Sequence, residues 1–473
     1  MLKILISIPL LGIFFLNIFK ERGRIIGMIS SIITFYLSLI LLLQWNNNDI
    51  EYQFRDSLDL LFYSLTIGLD GISLFLIVLT TVLMPILFLL EERKEKESAN
   101  NIVRLLLLME SMLIFLFSSL DLFFFFLSFE LLLIPMFLLI GSFGSPERKI
   151  EAAYRFIIYS LFGSLIMLIS IIVIFIKYGS THNEVIAIKA SYDNLFLLKL
   201  FWLSFFFSFA IKVPIFPFHT WLPFVHVEAP TIGSMLLAGI MLKLGTYGIL
   251  RYNLGVFGII NHYFIPIVLI MAILSIVYGA LTTIRQIDLK KIIAYSSIVH
   301  MNYGIIGFFT NEIEGLSGSS YLMLSHAFIS CALFLLVGIL YKRYHTRIIS
   351  YYQGLVYTMP LFSSLFLLFS LANISLPFTS AFIAEILILI STFKSNLFIG
   401  ILISIALILS TIYALWLSNR ILFGQISPFL FLFQDLSKNE MVALLPLLFF
   451  TLLFGVNSHF ILDSFSLPLL NLL

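Results

Sequence analysis

Apolar stretches of about 20 residues recur from one end of this chain to the other, and each is long enough to cross a hydrocarbon layer ~30 Å thick. No other feature narrows the fold so far. A bilayer core holds no water, so every peptide group there must bond within protein, which leaves helices or a closed barrel. The alternating ten-residue strands of a membrane barrel are missing. The expected fold is therefore all-α and polytopic. Composition agrees: charged residues make up 11% of the 473, where a soluble chain carries about a quarter.

Fourteen transmembrane helices are expected, near 3–19, 25–44, 71–90, 102–119, 121–140, 153–176, 195–217, 231–251, 262–284, 289–309, 317–341, 361–393, 399–422 and 441–461. The first follows Met1 almost directly, with no small-residue cleavage site behind it, so it reads as a membrane helix and not a removable signal. Residues 45–70 form the longest hydrophilic stretch, and nothing else is a candidate for a soluble domain. Connections after odd-numbered spans, here called side A, hold 18 of the 27 Lys and Arg, including Arg93, Lys94, Arg285, Lys290 and Lys291. The other side holds 7, Arg251 among them, and Lys212 and Lys243 belong to neither. The positive-inside rule then places side A in the cytoplasm or mitochondrial matrix and both termini on the outer side.

The whole chain, 1–473, reads as one membrane domain with N-terminal helices in 1–101 and a C-terminal helix at 441–461. A weak internal repeat relates Ile211-Lys-Val-Pro214 to Ile374-Ser-Leu-Pro377 at a shift of 163 residues. Two five-helix copies, 102–251 and 262–422, would have inverted topology, with interrupted helices 7 and 12 at matching places.

Composition also excludes. The single cysteine, Cys331, rules out a disulfide framework or a thiolate-held cluster and reads as a small packed residue. Net charge is +2 with no basic tail, so nucleic acid is not an expected partner. No nucleotide loop, nucleophile–base pair, haem ligand pair or quinone signature emerges, and redox chemistry is expected elsewhere.

What remains is a set of ionisable residues inside apolar spans, each costing about 2.5–3.5 kcal/mol at the bilayer centre on the insertion scale. Lys212 lies just before a break set by Pro214 and Pro217, and Lys243 repeats the pattern mid-span. Burial drives a lysine towards neutrality and a nearby carboxylate draws it back, so a lysine held between the two can take and release a proton near neutral pH. Glu130, in FFFFLSFELLLIPMF, has no basic residue within a helical turn and is the expected counter-charge of Lys212; a purely structural salt bridge is the alternative. His219 and His226 are seven apart, which would share a helical face if Pro223 does not interrupt it. With Glu228 they make a poor metal set and are better read as proton relays beside water. His300 and His326, each near mid-span, could continue the relay or simply be hydrogen-bonded structural residues. Glu385 follows a second break at Asn373–Ser380 and looks like one terminus of a path. Glu110 is a further intramembrane site. Asp121 is explained by helix capping, and Arg285, Asp288, Lys290 and Lys291 by interfacial anchoring.

At these residues the chain resembles the mitochondrial-type subunit-4 family of the NADH dehydrogenase of respiratory complex I. The likeness rests on LDGISLFLIVLTT (69–81), FELLLIPMFLLIGSFGSPERKIEAAY (129–154), KVPIFPFHTWLP with HVEAPTIGS (212–234), LAGIMLKLGTYG (237–248), TTIRQIDLKKIIAYSSIVHMN (282–302) and LMLSHAFISCALFLLVGILY (322–341). Residues before about 60 and after about 425 add little. The resemblance implies an antiporter-like, proton-translocating subunit of the mitochondrial inner membrane, with termini on the intermembrane-space side. Its buried axis would comprise Glu130, Lys212, Lys243 and Glu385, with His219, His226, His300 and His326 along it. No cofactor is implied here: NADH, FMN, iron–sulfur clusters and ubiquinone would sit in other subunits. Implied partners are neighbouring antiporter-like and other membrane subunits, accessory subunits and lipids. The chain departs from the family at Phe224, where Glu is usual, at Phe378, Ala384 and Ala327, where Gly is usual, and at Lys342, where Asp is usual. Two rival readings share the residues: a subunit of a multi-subunit sodium/proton antiporter, and a structural subunit with a vestigial axis.

Overall fold

The computed structural model describes every residue except 50, 61–62, 92–94, 430–433 and 471–473, so Arg93 and Lys94 of the charge count lie outside the described residues. The helices are α1 (Leu2–Ile18), α2 (Gly23–Leu43), α3 (Gly71–Leu90), α4 (Lys96–Ser118), α5 (Leu122–Leu131), α6 (Leu133–Phe143), α7 (Lys149–Tyr178), α8 (Asn183–Ala190), α9 (Leu195–Lys212), α10 (Trp221–Glu228), α11 (Thr231–Leu236), α12 (Leu242–Gly248), α13 (Asn261–Arg285), α14 (Leu289–Phe308), α15 (Ile313–Tyr344), α16 (Leu355–Thr358), α17 (Pro360–Asn373), α18 (Ser380–Ser395), α19 (Leu397–Leu422), α20 (Lys438–Val456) and α21 (His459–Leu470). Among the described residues eleven helices are long and apolar enough to cross a membrane. The other three expected spans correspond to α1, α14 and the broken pair α17–α18.

Side-chain distribution is that of a membrane bundle. The buried residues of α2 are Gly23, Gly27, Ser30, Ser31, Thr34, Ser38 and Leu41, all but the last small, while Ile25, Ile29, Ile32 and Tyr36 are exposed. In α7, Ala152, Ala153, Ser160, Gly163 and Ser164 face inward, and Ile158, Phe162, Leu165 and Ile169 face out. Lipid tails reward no burial of large apolar groups, so small residues that let backbones approach take the interfaces.

The chain divides into two compact units: Met1–Ile211 with Tyr247–Tyr263 and Asp463–Leu472, and Lys212–Thr246 with Phe264–Leu462. In the first unit, the described part of the hydrophilic stretch contains two paired strands. Its strands, β1 (Gln53–Leu60) and β2 (Tyr63–Leu69), pair antiparallel with an irregularity between Gln53 and Asp56. Lys3 Nζ donates to Ser57 O (2.7 Å) and Leu120 N to Thr66 O (3.2 Å), tying the strands down. The fifth span breaks at Leu132, because Pro135 has no N–H to return to the Leu131 carbonyl. Asp121 caps α5 as expected, accepting from Phe123 N and Phe124 N.

Arg251, counted with the outer loops, is instead buried in this unit. Its guanidinium pairs with Asp70 at 2.8 Å and donates to the hydroxyls of Tyr52 (3.0 Å) and Tyr247 (2.9 Å). Asp70 also caps α3, accepting from Ser73 N at 2.8 Å.

Both expected helix breaks belong to the second unit or its border. After Lys212 the helix gives way until Trp221, and the freed backbone is met by neighbouring polar side chains: Ser275 Oγ accepts from Phe216 N (2.8 Å), and Asn302 donates to Pro214 O (3.4 Å). That is how broken helices are tolerated at membrane depth. His219 therefore lies in the non-helical stretch and His226 on α10, so the two do not share a helical face; Pro223 sits harmlessly in the first turn of α10.

At the second break Phe378 adopts φ 72°, a left-handed conformation, while its ring is 73% exposed. α20 lies hard against this turn: a Cβ on Gly455 would stand 2.0 Å from Phe378 O. Ala384 is buried and its carbonyl is approached by Gly318 of α15, so the methyl at 384 leaves α18 uninterrupted. A side chain at Phe378 costs roughly 1–2 kcal/mol in this backbone region, and exposure leaves no packing to offset it. Phe378→Gly should therefore raise the thermal midpoint of the solubilised assembly, by slightly less than that relief because glycine also frees the unfolded chain. A lowered midpoint would mean that the ring makes a contact outside this chain.

Candidate functional site

The helix carrying Lys243 is not a plain α-helix. Residues Leu237–Met241 and Ile249–Val256 are π-helical, on either side of α12. Such wider turns are rare and concentrate at functional sites. Lys243 is fully buried, and its ammonium donates back to Ala238 O within the π segment. Its other partner is His326 Nδ1 of α15, at 2.9 Å.

From His326 the polar series continues. The rings of His326 and His300, the latter on α14, have centroids 6.0 Å apart. His300 Nδ1 is 3.0 Å from Glu385 Oε1, near the start of α18. All four residues are at most 4% exposed. Four expected site residues on four helices, Lys243, His326, His300 and Glu385, thus form one line through the second unit. A series of polar groups in so apolar a setting has the chemistry to pass protons, since each member can both accept and give one.

The other expected residues are placed differently. His226 is buried flat against Phe334, with ring centroids 4.5 Å apart, and neither ring nitrogen has a hydrogen-bond partner. His219 stacks on Phe216 (5.6 Å) and meets the edge of Tyr278 (5.3 Å). Lys212, 2% exposed, ends α9 at the first break. Glu130, next to last in α5, is half-buried, less enclosed than the sequence suggests. It belongs to the first unit and Lys212 to the second. Glu110 is fully buried in the first unit, where Thr34 donates to Oε1 at 2.5 Å. No group of residues suited to a metal ion occurs among the described residues.

One residue of this neighbourhood escaped the sequence. Lys290, expected at the interface, is 3% exposed, and its ammonium donates to Ala229 O (2.8 Å) and lies 3.4 Å from Ser234 Oγ. Of its companions, Arg285 is exposed and Lys291 half-buried, as anchoring requires, while Asp288 caps α14. The available signal was a lysine in the first turn of a helix, the end where a positive charge is least favoured.

A family model described as NADH:quinone oxidoreductase/Mrp antiporter, transmembrane region, matches residues 119–412. The chain is 46% identical to an NADH-ubiquinone oxidoreductase chain 4 of Marchantia polymorpha, over 99% of this chain and 96% of that one. With the chain 4 of Arabidopsis thaliana the figures are 44%, 99% and 96%. Among solved structures, a chain of respiratory complex I from Thermus thermophilus with bound NADH superposes with a TM-score of 0.85 at 28% identity, covering 98% of this chain and 99% of that one. A chain of the Mrp complex from Dietzia sp. shares the fold at a TM-score of 0.89 and 19% identity, covering 100% and 97%. The chain belongs to the NADH:quinone oxidoreductase/Mrp antiporter transmembrane family, on its NADH-ubiquinone oxidoreductase chain 4 branch.

Proposed function

We propose that this chain is a proton-translocating, antiporter-like membrane subunit of respiratory complex I. Redox energy released by NADH oxidation and quinone reduction in other subunits drives protons along its buried axis. The observation that carries this reading is the Lys243–His326–His300–Glu385 series, with its 2.9 Å and 3.0 Å contacts inside apolar helices. Lys243 hands a proton to His326, His300 relays it, and Glu385 exchanges it with one aqueous side. The 6.0 Å between the two imidazoles is the widest step, closed by ring rotation or by one bridging water. Upstream, Glu130 in the first unit and Lys212 in the second are further proton sites, and His219 and His226 serve the stretch between the first break and Lys243. Glu110 is an accessory proton site in the first unit. The chain itself holds no cofactor. Its partners are the neighbouring antiporter-like and other membrane subunits, accessory subunits and lipids. It resides in the mitochondrial inner membrane, with side A in the matrix and both termini in the intermembrane space.

The fold shared with an Mrp complex supports one rival, a subunit of a sodium/proton antiporter. Purification of the native assembly separates them. Flavin and iron–sulfur subunits should accompany this chain, with NADH-driven proton transport unaffected by removing sodium. An assembly of antiporter subunits alone, transporting in proportion to sodium and without NADH oxidation, would replace this reading.

A further inference from the structure

The junction between α10 and α11 is held by cations from outside it. The last carbonyls of a helix carry partial negative charge and lack intrahelical donors. Here Arg347 donates to Val227 O and Lys290 to Ala229 O, while Ser234 Oγ donates to His226 O at 3.2 Å. The chain around Arg347 is itself fastened beside the start of α14: Leu289 N donates to Arg347 O (2.9 Å) and Ile349 N to Ile287 O (3.0 Å). Arg347 has a carboxylate nearby, Asp288 at 3.8 Å. Lys290 is the more deeply enclosed of the two cations, set in the first turn of α14 against the helix dipole. Through Ser234 its ammonium is linked to the backbone of His226. A buried ammonium is costly to desolvate, a cost that the facing carboxylates of Asp288 and Glu228 offset and that a neutral donor would not incur.

We propose that Lys290 is a positioning residue for proton transfer, whose charge sets the place and the electrostatic surroundings of His226 at the side-A approach to Lys243. Proton delivery to the Lys243 series depends on that charge, and not only on the hydrogen bond to Ala229 O. The inference rests on the proton-transfer reading of the axis.

The test uses the whole complex in proteoliposomes, following quinone reduction, protons moved per electron, and the amount assembled. Lys290→Gln keeps a donor for Ala229 O and removes the charge; Lys290→Arg keeps the charge; Lys290→His makes it titratable. Lys290→Gln should assemble and pump at least threefold fewer protons per electron, and Lys290→Arg should regain half or more. Relative to the unaltered complex, Lys290→His should pump better as the pH falls, with the gain appearing below the ordinary imidazole value of ~6.5 because burial favours the neutral ring. Unaltered pumping in Lys290→Gln, equal loss in Gln and Arg variants, or a pH-independent deficit in Lys290→His would each overturn the proposal. The His variant decides if the Gln variant does not assemble. Lys243→Met is measured alongside: normal pumping there as well would remove the proton-transfer reading itself, whereas a silent Lys290 alone removes only this inference.

Discussion

Lys243→Met should leave the complex assembled and slow proton transfer through this subunit by about 100-fold or more, because a positioned acid–base group contributes roughly 10²–10⁴. Methionine is unbranched and one heavy atom shorter than lysine, so it fills the apolar space of the lysine stem. What disappears is the proton carrier and its contact with His326 at 2.9 Å. The carbonyl of Ala238 also loses the ammonium, at a cost of roughly 1–3 kcal/mol, which the packing of so fully buried a helix can absorb. Assembly and pumping therefore part company, which distinguishes this substitution from a destabilising one. Proton-to-electron ratios in proteoliposomes, with native-gel yields beside them, read both quantities. A normal ratio would show that protons do not pass Lys243.

Asp70→Asn should act on stability and leave the Lys243–His326–His300–Glu385 series untouched, since Asp70 and its partner Arg251 belong to the first unit and that series to the second. Removing one member of a buried ion pair strands the other, at a cost of about 3–5 kcal/mol. Asparagine is as good a helix cap as aspartate, so the bond from Ser73 N survives and the effect isolates the charge. The tyrosine hydroxyls of Tyr52 and Tyr247 still face Arg251 but cannot neutralise it. The expected result is a sharply lowered yield and thermal midpoint of the assembled complex. Asp70→Asn combined with Arg251→Met should recover part of the loss, because no uncompensated cation is then left buried. An unaltered midpoint in the single variant would mean that Arg251 reaches water.

Much of this molecule was legible where the chemistry is local. Pro214 and Pro217 announced the first break, and Asn373–Ser380 the second, because missing donors and turn residues act on their own backbone. Lys243, His300, His326 and Glu385 announced themselves through the cost of burying them. Their order along one line was not legible, since it is set by how four helices pack. The β1–β2 pairing was hidden by its irregular register. The shared face of His219 and His226 was a misreading of helical period across a stretch that is not helical. Lys290 and Arg251 were missed for one reason: a charge near the end of a span reads as a surface anchor until tertiary structure closes over it.

The π segments beside Lys243 have a consequence for inheritance. A residue of α-helix turns the chain by about 100°, and a π segment stores one residue beyond that rhythm. The direction in which Lys243 points, towards His326 and not away from it, is therefore fixed by a count of residues between Thr231 and Lys243. Substitutions along Leu237–Met241 can drift without moving the lysine, but the loss of a single codon there would swing it off the line. Length, in this stretch, is as much a functional character as the lysine itself.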